Sequence, residues 1–146
     1  MQRATHSRGQ ALAEFAIVLP LLLLVLVGVE ECGRLAYTAI VADHAAYAGA
    51  LYGAQNSATV VDSAAMVHAA LEDGADLSSL TASATHVCTC SDGGAAPGCA
   101  LADCPGTSLR VYAQVATTAT FTPVCNLFGW PGSLTLHGQA AIEARP

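Results

Sequence analysis

The sequence contains no lysine: its five basic residues are all arginines (Arg3, Arg8, Arg34, Arg110, Arg145), set against eleven carboxylates and a net charge of −6. Without clustered cations the chain is poorly suited to neutralise a phosphate backbone, which argues against nucleic acid as a partner. Aromatic residues are scarce at 5%, and the hydrophobic fraction of 53% comes mostly from alanine and from one dense apolar run. Any soluble part therefore has a light core. G-x-S-x-G, P-loop, G-x-G-x-x-G and H-E-x-x-H patterns are also missing, and these are the short motifs that position nucleophiles, phosphates and zinc. His44, His68, His86 and His137 are scattered, while Asp62, Glu72, Asp73, Asp76, Asp92 and Asp103 mostly fall in expected turns or on solvated faces. Neither enzymatic activity nor a cofactor is expected.

What is present begins at the N-terminus. Residues Met1–Gly9 (MQRATHSRG) are polar, carry Arg3 and Arg8 without an acid, and read as a cytoplasmic basic leader. Ala11–Val29 (ALAEFAIVLPLLLLVLVGV) is a run of nineteen residues whose only charge is Glu14. As a helix it spans about 28 Å, enough to cross a bilayer. Arginines precede the run and Glu30–Glu31 follow it, so the positive-inside rule puts the N-terminus in the cytoplasm and everything after about Glu30 outside. Pro20 lies within the span, where membrane helices tolerate it, and predicts a kink.

Past the membrane, Leu35–Tyr52 stays in helix-favouring residues, with Leu35, Ala39, Ala42, Ala46 and Gly49 at three- and four-residue spacing. The anchor and this stretch are expected to form one helix, its small-residue stripe packing against another helix or, more simply, against its own domain. Gly53–Ala58 reads as a loop. Thr59–Leu71 reads as a second helix with Val60, Ala64, Val67 and Leu71 on one side. Ala84–Cys90 is a short strand, Ser91–Gly106 an irregular Gly-, Pro-, Asp- and Cys-rich loop, and Arg110–Phe121 and Leu134–Ala144 are two further strands. The organisation expected is leader 1–9, membrane helix 10–29, helix extension and loop 30–58, and an exported cysteine-bearing domain 59–146. Its class is α+β, with a three-stranded antiparallel sheet.

Of the six cysteines, Cys32 stands alone and Cys88, Cys90, Cys99, Cys104 and Cys125 lie in the C-terminal half. Their spacing does not reproduce the paired C-x₂-C of zinc sites, so no metal is assigned. A small, lightly cored domain in an oxidising compartment favours disulfides among those five, with connectivity open. Cys32, at the membrane surface, either pairs between chains or stays free.

Residues Arg8–Tyr52 resemble the TadE-like proteins, minor pilin or pseudopilin components of bacterial Flp (Tad) pilus systems. The likeness is carried by RGQALAEFAIVLPLLLLVLVG, then GRLAY after Cys32, then AAYAGALYGA. It implies a pilin-like fold and cleavage after Gly9 by a membrane-embedded prepilin peptidase, with Gln10 as first mature residue and Glu14 and Phe15 fifth and sixth. A glycine lets a protease approach the backbone closely, and an acid one turn into a helix is favoured by the dipole and a nearby α-amine. Implied partners are other pilin subunits, Tad pilus assembly proteins, the prepilin peptidase and inner-membrane lipid. Two competing readings remain. One is a secreted protein whose h-region is Phe15–Val29, although no A-x-A site follows it. The other is a bitopic disulfide-containing binding module unrelated to pili.

Overall fold

The computed structural model describes residues 6–124 and 132–144, so the Cys125 candidate falls outside the described residues. The chain divides between Ala36 and Tyr37 into two compact units. One helix, α1 (His6–Gly53), runs through the apolar segment and its extension without a break, including across Pro20. It is followed by α2 (Ser63–Asp73) and strands β1 (Thr81–Cys90), β2 (Leu109–Phe121) and β3 (Leu134–Glu143). The strands form an antiparallel sheet in the order β1-β2-β3. The α+β class with three antiparallel strands is as the sequence predicts.

Within the second unit the last turns of α1 lie on the sheet. Ala42, Ala45, Ala46 and Ala50 are fully buried, and with Val60, Met66, Ala70, Ala113 and Val115 they make up most of the core. The small-residue stripe thus packs against its own domain, the simpler of the two expectations. Among the described residues the largest fully buried side chains are Met66, Val115 and Thr117. Shortage of bulk is met by close approach. The Thr117 hydroxyl donates to the Ala42 carbonyl at 2.7 Å, tying β2 to the helix backbone. Beside it on β3, a Cβ on Gly138 would lie 2.5 Å from that carbonyl and 2.6 Å from Thr117 Oγ1.

That contact predicts a measurable penalty. Gly138→Ala should destabilise the domain by about 1–3 kcal/mol through overpacking, lowering Tm by roughly 5–15 °C in thermal denaturation of the full chain in detergent. An unchanged Tm would show that the helix is not seated on β3 as described.

Three local expectations are corrected. The second helix starts at Ser63 rather than Thr59, because Asp62 caps it by accepting from the Ala65 N–H at 3.0 Å. The residues before it are held in turns by Asn56, whose side-chain oxygen accepts from the Ala58 and Thr59 N–H groups at 2.9 and 3.0 Å. Its buried residues are Met66 and Ala70, while Ala64 and Leu71 are exposed, so the face turned inward is offset from the one the pattern indicated. β1 begins at Thr81, three residues earlier than expected, since pairing with β2 extends from Thr81↔Thr118 to Cys90↔Leu109.

The loop after β1 is irregular as expected, apart from a short 3₁₀ turn (Leu101–Asp103) and an isolated bridge, Thr89↔Ala95. Cys88 and Cys90 project to the same face of β1, being two residues apart in a strand. They form disulfides to Cys99 and Cys104, with Cα separations of 5.3 and 5.4 Å. Together with Ala96 the four half-cystines make a second small core. Asp103 reinforces it by accepting from the Gly98 and Ala100 N–H groups at 3.0 and 3.3 Å.

Candidate functional site

In the first unit, every described side chain from Gly9 to Leu26 is exposed. Leu12 and Ile17 are about 70% exposed, and Leu19, at 38%, is among the least exposed of the run. A helix that is apolar on all sides and, among the described residues, left uncovered fits lipid or a place among like helices. By length and composition α1 can cross a membrane, and membrane anchoring is the arrangement it fits.

The polar groups of this stretch sit near its start. Gln10 and Glu14 are four residues apart on one helix face, and the Gln10 amide nitrogen donates to Glu14 Oε1 at 3.1 Å. Phe15, the next residue, is 58% exposed. A Cβ built on Gly9 meets nothing within 4 Å. Gly138 and Gly49 are glycines because the fold leaves no room for more, but packing within the chain gives no reason for Gly9. At the other end of the apolar run, Glu31 and Arg34 pair at 3.3 Å, and Cys32 is exposed without a disulfide partner.

Residues 9–51 match the family model described as TadE-like protein. Over that segment the chain is similar to TadE-like proteins. The match covers less than a third of the chain, beginning at the expected processing glycine and ending two residues before α1 does. Comparison with curated proteins and with solved structures returned no match. The TadE-like segment therefore comprises most of α1: the membrane-competent half with Gly9, Gln10, Glu14, Phe15 and Pro20, and the alanine-rich half that roofs the sheet.

Of Gly9, Gln10, Glu14 and Phe15, which all lie on α1, the structure brings together Gln10 and Glu14 on one face, whereas Cys88, Cys90, Cys99 and Cys104 form a separate knot at the end of β1. One feature of the TadE-like segment escaped the sequence reading. On the face of α1 away from the sheet, Tyr37, Ile40, Tyr47 and Leu51 are each at least half exposed. With exposed His44 they recur at alternating three- and four-residue steps, the spacing of a helix-packing seam. That spacing is visible in the residue numbers alone, alongside the small-residue stripe on the opposite face. Tyr37 also donates its hydroxyl to Asp76 Oδ2 at 3.0 Å, fastening the loop after α2 to the helix.

Elsewhere the surface offers less. A cleft of ≈ 470 Å³ is lined by Ser57, Val60, Ser108 and Val111. At its rim Arg110 Nε lies 3.7 Å from Glu143 Oε1. Tyr112, and then the Glu143 carboxylate, hold the Arg110 guanidinium above its ordinary pKa. Among the described residues no three His, Cys, Asp or Glu side chains converge as a metal site.

Proposed function

We propose that the protein is a structural or assembly component of a bacterial Flp (Tad) pilus: a minor pilin or pseudopilin matured by a prepilin peptidase after Gly9. Its role is to pack with other subunits rather than to catalyse a reaction. In this reading α1 holds the chain in the inner membrane with the N-terminus cytoplasmic and the cysteine-bearing domain outside, where an oxidising compartment sustains the Cys88–Cys99 and Cys90–Cys104 disulfides. Partners are other pilin subunits, Tad assembly proteins, the peptidase and inner-membrane lipid.

The observation that carries this reading is the helix itself. It is TadE-like over residues 9–51, its first half is exposed on every side, and its second half is built into a folded domain. Such an element can leave lipid and pack among like helices while presenting its domain. The position of Glu14 supports processing as well. Among the described residues α1 already runs from His6, so Glu14 lies well inside the uncut helix. Cleavage after Gly9 leaves Glu14 one turn from the new α-amine, where that amine and the helix dipole favour a carboxylate.

Glu14 then serves subunit register, meeting the α-amine of a neighbouring chain. An ion pair in low dielectric is worth more than the ~0–1 kcal/mol of an exposed one, and a partner left unpaired there is costly. Glu14→Gln should preserve helix, cleavage and exported domain. It should lower co-purification with other pilus subunits by at least about fivefold, equivalent to about 1 kcal/mol, and reduce piliation in the host. Assembly at wild-type levels would remove Glu14 from the interface. Piliation unaffected by deletion of the whole gene would remove the protein from the pilus.

A further inference from the structure

We propose that Gln10, once exposed as the first residue, closes onto its own side chain to a five-membered lactam, with Glu14 as the proton carrier. The proposal rests on the processing reading above. Glutamine is the amide side chain of the right length, because its carbonyl carbon lies four bonds from its own α-nitrogen and closure gives an unstrained ring.

The reaction needs no co-reactant. The free α-amine attacks the side-chain carbonyl carbon, forming a carbon–nitrogen bond, and the bond from that carbon to Nε2 breaks. The attacking nitrogen loses one proton, Nε2 gains one, and ammonia leaves. The structure supplies a group to move that proton: the nitrogen that must depart already donates to Glu14 Oε1 at 3.1 Å. The attacking nitrogen is freed by the cut, since the first N–H groups of a helix have no intrahelical acceptor. Both residues are exposed, and a Cβ at Gly9 would meet nothing, so no packing opposes closure.

Closure has a consequence for assembly. It replaces an ammonium at the membrane edge, where charge is costly, by a neutral lactam N–H. A chain that closes before docking can no longer offer the cation of the amine–carboxylate pair. Ring formation therefore limits how long an undocked subunit stays competent.

The test uses the full-length precursor in lipid nanodiscs, cleaved by purified prepilin peptidase, with the N-terminal peptide followed by mass over time. The expected product begins at Gln10, lacks one ammonia and resists Edman degradation. A product that keeps a free amine on Gln10 throughout overturns ring closure but leaves processing intact, whereas a chain still starting at Met1 overturns both. Gln10→Asn should be cut and keep its ammonia, since closure would need a four-membered ring; ammonia loss from its first residue would overturn the assignment. Glu14→Gln should slow ammonia release about tenfold or more, toward the range of a positioned acid–base group. An unchanged rate would exclude Glu14 as the carrier.

Discussion

Gly9→Val should abolish the mature form: the chain inserts in the membrane at wild-type abundance, yet no product beginning at Gln10 accumulates. The space around Gly9 is open, so a larger side chain costs the fold nothing. What it obstructs is the approach of a protease to the backbone, which a residue without a Cβ permits. The variant remains helical, since valine is at least as good a helix former as glycine. Intact mass and N-terminal sequencing of protein from its own host, wild type beside variant, read this directly. The wild type should begin at Gln10. A wild type that keeps Met1, or one that begins near Glu30, would overturn the pilin-like assignment; the latter would favour an ordinary signal peptide. A Gly9→Val chain cut normally would show that the glycine is incidental.

The second large effect is expected at the cysteine knot. Cys88–Cys99 and Cys90–Cys104 close overlapping loops of 11 and 14 residues in sequence separation, and a loop of that order contributes about 3 kcal/mol by limiting the unfolded chain. With one methionine, one valine and one threonine as the largest fully buried side chains among the described residues, the domain has little there to offset such a loss. The paired change Cys90→Ser with Cys104→Ser should lower Tm by roughly 10–20 °C and open residues 91–108 to proteolysis. Helix α1 and its membrane insertion should be unaffected. Non-reducing peptide mapping of the wild type should recover the two links as stated. Recovery of all four residues as free thiols from exported protein would refute the knot and the oxidising location together.

The course of α1 was legible because its signals are local. Nineteen residues with a single charge dictate a membrane-length helix, and the alanines that follow provide no reason to stop until Gly53. Gly9, Gln10, Glu14 and Phe15 were named from the resemblance to TadE-like proteins, and the processing proposed for them is a linear pattern read along one helix. The boundaries of α2 were less legible. Thr59–Leu71 has helical periodicity, but Asn56 binds the next turn's N–H groups and Asp62 caps three residues later, so side-chain hydrogen bonds outcompete propensity at the start.

Tertiary structure alone decided what the alanines and glycines of the second half are for. A stripe of small residues is equally suited to a neighbouring helix or to the chain's own sheet. The choice went to the sheet because Thr117 and Gly138 on adjacent strands let the helix backbone approach to 2.7 Å of a hydroxyl donor. The cysteine pairing was undecidable from spacing for a related reason. Which half-cystines meet depends on the loop folding back over Cys88 and Cys90, through Ala95, Ala96 and Asp103. By itself the sequence determined the membrane helix, its polarity of charge, the lightness of the core and the α+β class, since composition and short-range periodicity suffice for those. Which face of α1 is buried and which cysteines join were left to the fold, because each is set by residues separated in the chain and brought together by strand register and close packing.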